Sequence, residues 1–113
     1  MHVANNMLIS TMNDIPGWQI TDVLGEVFGL TVRSRNIGSQ FGASLKSLAG
    51  GELRGMTQNL ATSRAEALSR LAQEAQALGA HAVVAMRFDT TDMAGNSTEI
   101  CAYGTAVRIR QLP

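Results

Sequence analysis

The sequence has one cysteine and two prolines among 113 residues, and only 16% of it is charged and 4% aromatic. A single cysteine excludes an internal disulfide framework. The aromatic residues Trp18, Phe28, Phe41, Phe88 and Tyr103 are single and dispersed, which suits core anchors and not a base-stacking platform. Nine Lys+Arg balance nine Asp+Glu for a formal net charge of zero, so no nucleic-acid partner is expected. No apolar run approaches the roughly 18 residues of a membrane span, which argues against a membrane partner. Met1-His2-Val3-Ala4-Asn5-Asn6 lacks the charged stretch of a secretion signal, so the expected location is cytoplasmic. What the chain does have is a 45% hydrophobic content, ample for a core and too high for disorder. Against the usual charged fraction of about 25%, a solitary domain of this composition would be poorly solvated.

Residues 7–11 read as a short strand, closed by the turn cluster Asn13-Asp14-Ile15-Pro16-Gly17. Residues 18–33 are rich in β-branched side chains and free of proline, which predicts a long strand. Gly25 and Gly29 within it mark a bulge or a close backbone approach. Ile37, Phe41, Leu45 and Leu48 have the spacing of a short helix over 36–48, ended by Gly50-Gly51. The clearest stripe is Leu60, Ala61, Ala65, Leu68, Leu71, Ala72, Ala75 and Leu78. It predicts a helix over 56–78, with a start that could reach back to Glu52 and with Gly79 as its C-terminal cap. Residues 82–89 and 98–110 read as an antiparallel hairpin joined through 91–97.

Alternation within that hairpin leaves neither face polar. Cys101, Tyr103, Thr105, Val107 and Ile109 share one face, and Ile100, Ala102, Gly104 and Ala106 the other, with Arg108 at its end. In the preceding strand Val84, Met86 and Phe88 alternate with Val83 and Ala85. Two sequence-adjacent helices can cover only one face, so a second copy of the chain is expected on the other. That also accounts for the low charge.

Cys101 and His81 are the internal residues suited to soft-metal or nucleophile chemistry. With Thr91 opposite Thr98, Cys101 falls near Phe88 and His81 near Arg108, a separation of about 23 Å along the strands. Zinc ligands stand about 2.0 to 2.3 Å from the ion, so one chain cannot bring both to a single metal. A divalent or soft transition metal would need ligands from neighbouring copies. The acids Asp89, Asp92 and Glu99 lack the spacing of a calcium loop. Arg87, Arg108 and Tyr103 are the candidates for a small-ligand or enzyme site between copies. With no nucleophile and base in mutual reach, a non-enzymatic role is expected.

Several stretches resemble the YbjQ-like family of small bacterial and archaeal proteins, whose name attributes heavy-metal binding to it. They are Ile15-Pro16-Gly17-Trp18-Gln19-Ile20, Gly25-Glu26-Val27-Phe28-Gly29, Gly50-Gly51, Leu60 with Arg64 and Ala67, Ala75-Gln76-Ala77-Leu78-Gly79-Ala80-His81-Ala82-Val83-Val84, and Gly104-Thr105-Ala106-Val107. The resemblance implies an α+β fold: a two-layer β-β-α-α-β-β subunit with an antiparallel sheet, assembled as a homopentameric ring. It implies a single domain over 1–113 with its core over about 8–110, and no established enzyme activity. His81 stands where the family commonly has aspartate, and no ligand motif in the chain matches the metal-binding name.

Overall fold

In a computed structural model, which describes residues 2–34, 51–93 and 97–113, Asn5 and Asn6 adopt φ of 52° and 63°. Two consecutive left-handed residues make the tight turn whose twist suits a hairpin, and asparagine tolerates that conformation. The turn joins β1 (His2–Ala4) to β2 (Met7–Ile9). Sequence reading began at Met7 and missed β1. The later elements are β3 (Trp18–Ser34), α1 (Gly51–Ala77), β4 (Ala82–Met93) and β5 (Ser97–Gln111). The expected helix over 36–48 lies outside the described residues.

The strand order is β1-β2-β4-β5-β3. All pairs are antiparallel except β2 with β4, where Leu8 faces Ala82 and Ile9 faces Val83 in parallel. The sheet is therefore mixed, which corrects the expectation of a purely antiparallel one. The cause is the added N-terminal hairpin, which lies against the free side of β4 while β3 takes the free side of β5. Among the described residues one helix packs on this sheet, giving an α+β fold of two layers.

Close approach is possible because both layers present small residues. Ala67, Leu71, Ala72 and Ala75 of α1 are buried with Val27, Val83, Met86, Ile100, Ala102 and Ala106 of the sheet. A Cβ at Gly29 would stand 2.2 Å from Ala67 O and 2.5 Å from Leu71 N, so the helix backbone rests on this glycine. Gly79, at φ 79°, ends the helix. Its N–H donates to Gln76 O (2.9 Å) and Ala80 N–H to Ala75 O (3.0 Å), the paired bonds of a Schellman cap. Asn5 Nδ2 donates to Ser69 Oγ (3.1 Å), tying the first hairpin to the helix.

The hairpin register differs by one residue from the expected pairing: Thr91 faces Glu99, and Asp89, not Phe88, faces Cys101. A bulge accounts for both this and a change of face. Between Val84 and Arg87 two residues of β4 oppose Gly104, and Ala85 there takes φ 55°. A Cβ at Gly104 would meet Val83 Cγ1 at 2.7 Å and Val84 O at 2.9 Å, so only glycine fits the inside of the bend. Met86 and Phe88 consequently share the helix-facing side with Val83, while Val84 faces outward with Ala82.

Candidate functional site

The outer face of the sheet has two halves. In one, Ile15 is fully buried over Ala82, Val84, Val107 and Ile109, with Leu8, Trp18 and Ile20 packed around them. The turn cluster folds over the sheet here, so the chain itself supplies part of the cover that patterning assigns to a second copy. In the other half, Phe28, Leu30 and Val32 of β3 remain 47%, 38% and 54% exposed, and Tyr103 of β5 remains 40% exposed. Register makes them one patch: Phe28 faces Tyr103, Leu30 faces Cys101, and Val32 faces Glu99. On the far side of β5, Tyr103 faces Arg87 and Cys101 faces Asp89.

Cys101 lies at the centre of this patch. Burial pushes its thiol pKa up, and the charges of Glu99, Asp89 and Glu26 push it further. The thiolate is the form that binds soft metals, so in the separate chain Cys101 must first lose a proton that its surroundings hold. His81 lies at the opposite end of the sheet, where its N–H donates to Val107 O (2.9 Å) and its Nδ1 accepts from Ile109 N–H (3.0 Å). Val107 is six residues from Cys101 along β5, about 20 Å. The two are not brought together within one chain, as their sequence positions imply. Among the described residues no group of three or more His, Cys, Asp or Glu side chains could hold a metal ion. The donor set that the described residues of one copy bring together therefore does not fit a metal.

Of the three candidate ligand residues, the register brings two together and separates the third. Arg87 and Tyr103 are cross-strand neighbours. The Arg87 guanidinium is already engaged, donating to Thr11 O (2.7 Å) and Met86 O (2.8 Å), where it braces the bulge. Arg108 lies five residues from Tyr103, about 17 Å along the strand. Its Nε donates to Gly79 O (3.1 Å) at the helix exit. Sequence reasoning overlooked the row Phe28, Leu30 and Val32; the signal for it was the strict alternation with Val27, Gly29 and Thr31.

With this geometry in view, residues 7–110 match the family model YbjQ, described as "Putative heavy-metal-binding". The chain belongs to the YbjQ family. It is 63% identical over 106 residues to a UPF0145 protein of Acidothermus cellulolyticus, spanning 94% of this chain and 98% of that one. It is 64% identical over 106 residues to a UPF0145 protein of Mycobacteroides abscessus, spanning 94% and 99%. A crystal structure of a protein of unknown function from Pediococcus pentosaceus aligns over 92% of this chain and 98% of its own, with a TM-score of 0.61 and 18% identity. At that identity the likeness shows the fold alone. Among the described residues no helix of this YbjQ-family chain is long and apolar enough to cross a membrane.

Proposed function

We propose that the protein is a self-assembling binding or scaffold protein and not an enzyme. Its copies join through the exposed half of the outer sheet face, and the five-membered ring implied by the family resemblance is the assembled form. The observation that carries this reading is the patch of Phe28, Leu30, Val32 and Tyr103, four large side chains exposed side by side on a rigid sheet. Contiguous apolar surface of this kind marks interaction sites, and the low charge of the chain is explained if that surface is covered. Size-exclusion chromatography with light scattering tests it directly. The wild type should elute as a multiple of 12.0 kDa, and Phe28→Glu and Tyr103→Glu should shift it toward one copy. A wild type that stays a single copy at micromolar concentration sinks the proposal.

A second reading places a divalent or soft transition metal where copies meet, with Cys101 and His81 contributed by different chains. It is favoured by the position of Cys101 on the same exposed patch beside Asp89 and Glu99, since a cation there would relieve the crowding of negative charge. Calorimetric titration of the assembled protein with zinc, copper and nickel tests it. Unchanged binding by Cys101→Ala and His81→Ala would discard those ligands.

A further inference from the structure

The stretch Val27-Phe28-Gly29-Leu30-Thr31-Val32 contains no charge and no proline, and among the described residues it lies in the outermost strand of the sheet. High β propensity with low charge is the composition of segments that stack into cross-β fibres. An edge strand adds to the hazard, because its outward amides and carbonyls are a template for another strand. The two edges of this sheet differ sharply: β1 has 3 residues and β3 has 17. Short edges are self-limiting; the outer side of β4 beyond Val83, which β2 does not reach, carries Arg87, Asp89 and Asp92, so the uncharged exposed edge is the 27–32 stretch of β3.

One acceptor of this edge is occupied from the helix. The Arg70 guanidinium donates to Leu30 O. Arg70 also lines, with Gln73, Glu74 and Leu78, an open groove of about 630 Å³ that runs beside Phe28, Gly29 and Leu30. In an antiparallel ladder alternate residues turn their N–H and C=O away from the paired strand. The carbonyl that Arg70 reaches therefore belongs to an outward row shared with Phe28 and Val32, and it is the middle one.

We propose that Arg70 guards this edge. Its guanidinium holds the central acceptor of the outward row, and its charge lies in the path an added strand would take, so copies do not join edge to edge. Natural sheets use charged side chains at exposed edges for this purpose, but here the charge comes from the helix above and not from the strand. The device is independent of assembly through the outer face, which uses side chains and not the edge amides.

The test is fibril formation by the full-length protein, followed by thioflavin T fluorescence with gentle agitation. Arg70→Ala should retain the circular dichroism of the wild type and shorten the lag several-fold. Arg70→Lys keeps a positive charge and a donor beside the Leu30 carbonyl and should keep a lag close to that of the wild type. Should alanine lower the urea midpoint, Arg70→Met keeps the packing of the stem while removing the guanidinium. An unchanged lag on loss of the guanidinium overturns the proposal. So does a lag that Arg70→Lys shortens as much as Arg70→Met does, because the charge at the edge then has no part in the protection. Light scattering of the starting samples reports separately on assembly through the face.

Discussion

The two faces of one sheet are built from alternate residues of the same strands, yet they are packed by opposite rules. On the inner face small residues are interleaved with large ones: Ala102, Ala106, Ala67, Ala72 and Ala75 are buried with Leu71, Val27, Met86 and Ile100, and Gly29 has no side chain between strand and helix. On the outer face the neighbours of those residues are Phe28, Leu30 and Tyr103, large and left half exposed. Small residues permit the helix to approach until backbones touch, and the packing is then intolerant of added volume. Large exposed residues add little to the isolated fold, and in the proposed assembly they provide area for a partner copy. The difference teaches that apolar content alone does not locate the core; what covers each face does, the helix on one side and Ile15 over half of the other.

The sharpest way to break this comparison is to truncate one leucine on each face. Leu71 is fully buried against the sheet, and Leu71→Ala should cost about 3 to 4 kcal/mol in urea denaturation. Leu30→Ala, measured at a concentration where copies are separate, should cost less than about 1 kcal/mol. Equal losses would mean that the outer face is part of the folding core of a single copy.

Added volume probes the same contrast in the other direction. Gly29→Ala would drive a methyl group into Ala67 O and Leu71 N, both backbone atoms that cannot rotate aside. A loss of about 2 to 3 kcal/mol is expected, read as a lower urea midpoint. At Ala85 the sign reverses. Its φ of 55° is left-handed in a residue that carries a Cβ, so Ala85→Gly should raise stability by up to about 1 kcal/mol. A destabilised Ala85→Gly would show that the bulge owes its shape to side-chain packing and not to the hydrogen bonds around it.

Those two positions also show where the sequence was legible. The long helix, its Gly79 cap, strand β3 and the β4–β5 hairpin follow from periodicity and from glycine at the places that need it, and the structure contains each of them. Gly25, at φ 126°, lies in the irregularity expected of a glycine inside a strand. The bulge at Ala85 carries no such mark, because alanine signals nothing about handedness, and without it the faces of Met86 and Phe88 come out reversed. The parallel pairing of β2 with β4 is fixed by contacts between residues over seventy positions apart, which local patterning does not register. For the site, the exposed apolar face was legible in outline. Its extent was not, since only the folded position of Ile15 reveals that half of it is already covered.

The smallest effect concerns Cys101, and it separates the electrostatics of the outer face from its packing. Burial and then the charges of Glu99, Asp89 and Glu26 favour the neutral thiol. A group whose folded pKa is raised adds stability that is fully present below its unfolded value. That stability is lost as pH rises through the folded one. The protein should therefore weaken slightly as pH climbs past the ordinary thiol range, and Cys101→Ser should not show that decline. The same logic sets reactivity, because only the thiolate is nucleophilic. Alkylation of wild-type Cys101 by iodoacetamide at mildly alkaline pH should be slower than that of the urea-unfolded chain. Glu99→Gln should speed it a few-fold at low salt, and salt should shrink the gap by screening the carboxylates. If Glu99→Gln, and then Glu99→Gln with Asp89→Asn, leave the rate unchanged at low salt, burial and not these two carboxylates holds the thiol neutral, and their charge ceases to be a reason for a cation to bind this face.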